Sequence, residues 1–105
     1  MSETILNWIK TQFDNKIYNI ENDFSNGNNF GKLLHTNNLF DNMKELKNTT
    51  DKEDSLNNYS LLRKALDQID VHLTDSDINE LINKKKYKDE LYLFKTKQKL
   101  SLKHC

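Results

Sequence analysis

Eight lysines fall in the last twenty-two residues, at Lys84, Lys85, Lys86, Lys88, Lys95, Lys97, Lys99 and Lys103, against only Asp89 and Glu90. The first 83 residues carry eight Lys or Arg against fourteen Asp or Glu. A chain of zero net charge is therefore polarised, minus six followed by plus six. An ammonium cluster of this kind attracts acidic surfaces over roughly a Debye length, about 8 Å at physiological ionic strength. Its chemistry is electrostatic docking, onto nucleic acid, anionic lipid or an acidic protein, and the plain alternative is a solvated helix face. Lys84, Lys85, Lys86, Lys88, Lys95, Lys97 and Lys99 are the candidate partner-binding residues.

Other reactive residue types do not assemble into a pattern. Asp75-Ser76-Asp77-Ile78-Asn79 opens like a calcium loop, but Glu80 stands where the loop needs Gly and Lys86 where it needs a bidentate Glu. Those acids are better used as charges at a helix start. His72, His104 and Cys105 lack metal-ligand spacing, and His35 fits a helix end, where an imidazolium favours the dipole. Neither the Gly-Lys-Ser/Thr phosphate loop nor the dinucleotide fingerprint occurs, and no serine or cysteine stands beside a base in a patterned context. The expectation is a protein that is not an enzyme, with no cofactor and no metal.

The elements that position the lysines must be helices. Two glycines, Gly27 and Gly31, and no proline argue against a sandwich or barrel with repeated tight turns. At 105 residues, 35% hydrophobic and 30% charged, the chain reads as one domain over 1–105, basic segment 84–105 included, with a core drawn from few side chains. Its ten aromatics should supply much of that volume. The lone Cys105 excludes an internal disulfide and fits a reducing compartment. No apolar run approaches the roughly 20 residues of a membrane span, and a signal-peptide layout is absent, so a cytoplasmic location is expected.

Ile5, Trp8, Ile9 and Phe13 fall on one helical face, predicting a helix from about Glu3 to Phe13 that Asp14 and Asn15 break. A connecting segment with Ile17, Tyr18, Ile20 and Phe24 leads to a turn at Ser25-Asn26-Gly27. Phe30, Leu33 and Leu34 then mark a short helix ending near Asn37, in which Gly31 implies close approach of a neighbouring helix. Residues 41–54 read as a loop with one helical turn. Asp54 or Ser55 should cap a helix carrying Leu56, Tyr59, Leu62, Leu66 and Ile69, the clearest amphipathic pattern in the chain. Thr74 and Asp77 form a variant capping box before Ile78, Leu81 and Ile82. Lys84 to Lys86 end that helix, and a last one over 87–100 should turn Tyr87, Leu91 and Phe94 to the core. The expected core is Ile5, Trp8, Ile9, Phe13, Phe30, Leu33, Leu34, Leu62, Leu66, Ile69, Leu91 and Phe94.

Three pieces of this pattern resemble a known family. They are Ile5-Leu6-Asn7-Trp8-Ile9, then Phe24-Ser25-Asn26-Gly27 with Phe30-Gly31-Lys32-Leu33-Leu34-His35, and Leu56-Asn57-Asn58-Tyr59-Ser60 with Leu62, Leu66, Ile69 and Val71. In order and spacing they resemble a calponin-homology-like (CH-like) domain, most of all the N-terminal domains of sperm flagellar and central-pair axonemal proteins. Asp70 stands where such domains commonly have Gly, and Asp tolerates the left-handed conformation a helix end needs. The resemblance implies an all-α bundle of about four main helices plus short connecting helices, without catalysis. It also implies a cytoskeletal interaction module, with tubulin or microtubules or another axonemal protein as partner and the flagellar axoneme as location. An adaptor that never touches the polymer and an actin-binding domain are the alternatives. Nucleic acid ranks third as a partner class, since Arg63 is the single arginine and base reading favours Arg.

Overall fold

The structure, a computed structural model, describes residues 3–13 and 19–103. Asp14, Asn15, Ile17, Tyr18, His104 and Cys105, which figure in the sequence reading, lie outside the described residues. Among those described, all regular structure is helical: α1 (Glu3–Gln12), α2 (Ile20–Asp23), α3 (Asn28–Thr36), a 3-10 turn (Met43–Glu45), α4 (Lys52–Gln68), α5 (Asp75–Ile82) and α6 (Lys88–Lys103). Five of these helices have eight residues or more, and the four-residue α2 and the 3-10 turn connect them.

α4 is the central element, because both of its flanks carry apolar or amide groups that neighbours can cover. Tyr59, Leu62, Ala65 and Leu66 are buried, and α3 and α5 pack on them. Ile5 and Ile9 of α1 and Phe30, Leu33 and Leu34 of α3 complete the inner layer with Val71, Leu73, Ile78 and Leu81. The aromatics run through it as a chain of edge-to-face contacts. Phe13 meets Phe24 at 5.7 Å between ring centres, Phe24 meets Phe30 at 5.2 Å, and Phe30 meets Tyr59 at 6.1 Å. Such pairs add about 0.5–1.5 kcal/mol each beyond the area they bury. Trp8 and Phe13, expected in the core, are half-buried and pack against its edge.

The helix ends follow from local chemistry. Thr74 and Asp77 form the complete capping box, with the Thr74 amide 2.9 Å from the Asp77 carboxylate and the Asp77 amide 3.1 Å from Thr74 Oγ1. The N-cap of α4 falls three residues before Asp54, the earlier of the two expected caps. Asp51 is its N-cap, accepting from the Asp54 amide at 3.1 Å, while Ser55 sits inside and donates to the Asp51 carbonyl at 2.9 Å. Asp51 wins because Lys52, Glu53 and Asp54 are all compatible with a first turn, and the two acids there favour the positive end of the dipole.

Three C-termini repeat one device. After α3, α4 and α5 the chain passes through a left-handed residue, Asn38 (φ 63°), Asp70 (φ 62°) and Lys84 (φ 60°). The next amide then bonds back across the last turn: Leu39 to the Leu34 carbonyl, Val71 to Leu66 and Lys85 to Glu80, at 2.8–2.9 Å. These are Schellman ends, usually built on glycine. In a chain with two glycines, Asn, Asp and Lys take the left-handed position, as anticipated for Asp70.

Both glycines meet close neighbours. Gly27 has φ +83° at the N-cap of α3, and a Cβ there would lie 3.2 Å from Asn58 Cβ. Gly31 does mark a close approach, but not chiefly of a helix. Its Cβ would collide with Leu46 Cδ1 from the segment after the 3-10 turn, while Leu62 of α4 lies at ordinary contact distance.

The largest departure from the sequence reading is the rotation of α6. Tyr87, Leu91 and Phe94 are exposed, at 54%, 43% and 46%, and the core takes Asp89, Tyr92, Leu93, Thr96 and Leu100 instead. Leu91 and Phe94 are therefore not core residues. Both sets recur at helical spacing, so periodicity alone selects neither. Contacts described below settle the choice.

Candidate interaction surface

The segment linking α5 to α6 and the outer side of α6 carry the lysines. Position along the sequence suggested one basic cluster, but the fold divides it. Lys88, on the first turn of α6, is mostly covered, and its Nζ lies 2.9 Å from Asp77 and 3.2 Å from Glu80 on α5. Lys85 pairs with Glu80 as well. Lys99 reaches Asp70 at 3.4 Å, and Asp70 also bonds His72 Nε2 at 2.8 Å. These three lysines tie the fold together.

Charge and burial oppose each other in the Asp77 group. Burial by itself would raise the Asp77 pKa, but bonds from the Thr74 backbone, Lys88 and Tyr92 hold it far below the ordinary carboxylate value. Lys85, then Lys88, pull Glu80 down, and Asp77 pushes Lys88 up. Tyr92 is pushed up to about 12 by burial and by its bond to Asp77. The Asp77–Lys88–Glu80–Tyr92 cluster thus locks the first turn of α6 onto α5. In doing so it fixes which face of α6 turns inward.

Lys84, Lys86, Lys95 and Lys97 occupy other settings. Lys84 lines a polar cleft of about 1020 Å³ together with Lys32, Lys52, Asn26 and Asn28. Lys86 Nζ sits 5.1 Å from the centre of the Tyr87 ring, and Lys95 Nζ 4.9 Å from that of Tyr92. Lys84, Lys86 and Lys95 are exposed and Lys97 is partly so. Between them run Tyr87, Leu91 and Phe94, which the sequence reading had placed inside.

Behind this surface lies a knot that positions α3 and the loop against α4. Asn58, 1% exposed, donates to the carbonyls of Asn26 at 2.9 Å and Lys47 at 2.7 Å and accepts from the Lys47 amide at 3.0 Å. Its neighbour Tyr59 is fully buried and donates to the Phe24 carbonyl. Burial first, and the Asp89 carboxylate second, drive the Tyr59 pKa well above the ordinary phenol value, so it stays a donor. Sequence reasoning placed Tyr59 on the apolar stripe of its helix and missed Asn58. Its place one turn before Leu62, on the apolar side of the helix, was the available signal. His35 Nδ1 lies 2.8 Å from the Phe40 carbonyl, a helix-end role of the kind expected.

No group of three or more His, Cys, Asp or Glu among the described residues could hold a metal ion, and no described helix is long and apolar enough to cross a membrane. Residues 5–98 match the family described as a CH-like domain in sperm protein. The chain belongs to that family, and its helical architecture agrees with a calponin-homology-like domain. Domains of this class are generally non-catalytic binding modules connected with the cytoskeleton. Comparison with curated proteins and with solved structures finds no match.

Proposed function

We propose that residues 1–105 form one non-catalytic docking module that binds microtubules through the lysine-bearing connector and outer side of α6. The observation that carries this reading is the division of the lysines. Lys85, Lys88 and Lys99 are engaged in ion pairs with Glu80, Asp77 and Asp70, of which only that of Lys88 is mostly covered, whereas Lys84, Lys86, Lys95 and Lys97 lie along the basic end of the fold. An acidic polymer surface would meet the second group first, and the attraction would be screened by salt. The proposed location is accordingly the cytoskeleton, in a flagellar axoneme.

Cosedimentation with microtubules and, separately, actin filaments tests it at low and physiological salt. The expected result is salt-sensitive pelleting with microtubules alone, reduced by Lys86→Glu with Lys95→Glu. Failure to pellet with either filament would overturn direct polymer binding, and pelleting with actin alone would reassign the polymer. A second reading, an adaptor that holds another cytoskeletal protein, is favoured by one observation: the apolar residues exposed among the lysines.

A further inference from the structure

α6 carries two apolar stripes on nearly opposite sides. Asp89, Tyr92, Leu93, Thr96 and Leu100 face the interior, and Tyr87, Leu91 and Phe94 face out. Leu91 and Phe94 lie three apart on α6 and Tyr87 is the residue before its first turn, and in sequence the three keep the four-then-three spacing of the narrow seam along which two helices pack. A broad apolar face of the kind that lies on lipid would span 100° or more, with Lys or Arg on its polar side. Here the polar side is occupied by the protein itself.

Two further features mark the stripe as a contact surface. Tyr87 is held at φ 69°, a conformation that costs a non-glycine residue about 1–2 kcal/mol, while its ring remains more than half exposed. By helical register Lys95 lies on one flank of the stripe and Lys97 on the other, two turns after Glu90, and the exposed Lys84 and Lys86 precede it in the chain. A second copy of the chain laid on this seam would set lysine against lysine.

We propose that Tyr87, Leu91 and Phe94 form a seam that receives one α-helix of a partner protein, with apolar residues at the same four–three spacing and acidic residues on its flanks. This rests on the reading of α6 as the docking face, and it names the partner's chemistry. Apolar contact supplies the attraction along the seam, and the lysine rim sets the partner's orientation and excludes basic helices.

The test uses the whole chain and three synthetic 21-residue peptides. One carries leucines at four–three spacing flanked by glutamates, one has serine at each leucine position, and one has lysine at each glutamate position. Binding is followed by fluorescence anisotropy at physiological salt. The first peptide is expected to bind, and the other two at least about tenfold more weakly. The Leu91→Ser/Phe94→Ser double variant should lose about tenfold in affinity for the first peptide with an unchanged melting temperature.

Equal binding of the leucine and serine peptides would overturn the seam and leave charge as the whole attraction. Failure of the first peptide to bind would overturn it directly. So would self-association of the wild-type chain that the double variant abolishes, or salt-resistant binding to phosphatidylserine vesicles that the double variant loses. Microtubule pelleting separates this proposal from the broader one. If the double variant pellets normally while Lys86→Glu/Lys95→Glu does not, polymer docking survives and the seam serves another helix only if the peptide result holds.

Discussion

α4 and α6 are of nearly equal length, seventeen and sixteen residues, and both are amphipathic, yet only α4 could be oriented from its sequence. On α4 the large apolar residues Tyr59, Leu62 and Leu66 define one stripe, and that stripe is buried. On α6 two stripes compete. Leu93 and Leu91 are the same residue type two positions apart, one fully buried and the other 43% exposed. A helix with a single apolar stripe carries its own orientation, whereas a helix with two needs an outside contact to choose. In this protein the ion pairs of Lys88 with Asp77 and Glu80 make that choice.

The sharpest way to break the comparison is truncation in both helices. Leu62→Ala and Leu93→Ala should each cost about 2–5 kcal/mol, while Leu91→Ala should change stability by less than about 0.5 kcal/mol. Urea unfolding of the three variants measures this. Equal losses at Leu91 and Leu93 would mean that α6 is rotated otherwise.

Next in size is the knot at the start of α4. Asn58→Ala removes three hydrogen bonds and strands groups of Asn26 and Lys47, an expected loss of about 3 kcal/mol. The melting temperature and the amide exchange of residues 26–28 and 47 should report it together. Tyr59→Phe should cost less, about 1–2 kcal/mol, because one carbonyl, that of Phe24, loses its partner. A silent Tyr59→Phe would indicate that solvent reaches that carbonyl.

The smallest effect concerns the lock itself. Lys88→Met should lower the melting temperature by roughly 4 °C at pH 7, the scale of a well-formed but partly solvated ion pair in a domain of this size. Its pH dependence has a defined sign. The Asp77 pKa is depressed, so its contribution is present above the ordinary value near 3.9 and fades as the pH falls through the folded-state value. The Lys88 pKa is raised, so its contribution is complete below about 10.4 and fades as the pH rises through the folded value. The gap between wild type and Lys88→Met should therefore hold from about pH 5 to 9 and narrow on acidification towards pH 2. A gap that stays constant down to about pH 2 would show that the lysine stem, not its charge, holds α6.

Much of the fold was legible because its determinants are local. Thr74 and Asp77 announce the start of α5 by their spacing, since each satisfies an amide of the other within one turn, and Gly27 announces α3 by supplying the left-handed turn before it. The start of α4 was misplaced because Asp51, Asp54 and Ser55 are all competent caps and the apolar periodicity begins only at Leu56, after the charged first turn. The lysines could be counted from the sequence but not sorted. Whether Lys88 binds inward or faces solvent depends on Asp77 and Glu80, which lie on a different helix.

By itself the sequence determined an all-helical chain, the positions of most helix ends, the burial of the α1, α3 and α4 stripes and the basic character of its last segment. Those properties depend on composition, on single-helix periodicity and on groups within a turn of one another. Tertiary structure alone decided that Asn58 would join a loop to α4, that Lys85, Lys88 and Lys99 would pair with Glu80, Asp77 and Asp70, and that Tyr87, Leu91 and Phe94 would be left outside. The physical reason is that apolar burial is non-directional and accepts either stripe of α6. Hydrogen bonds and ion pairs between helices are directional, and they admit one rotation.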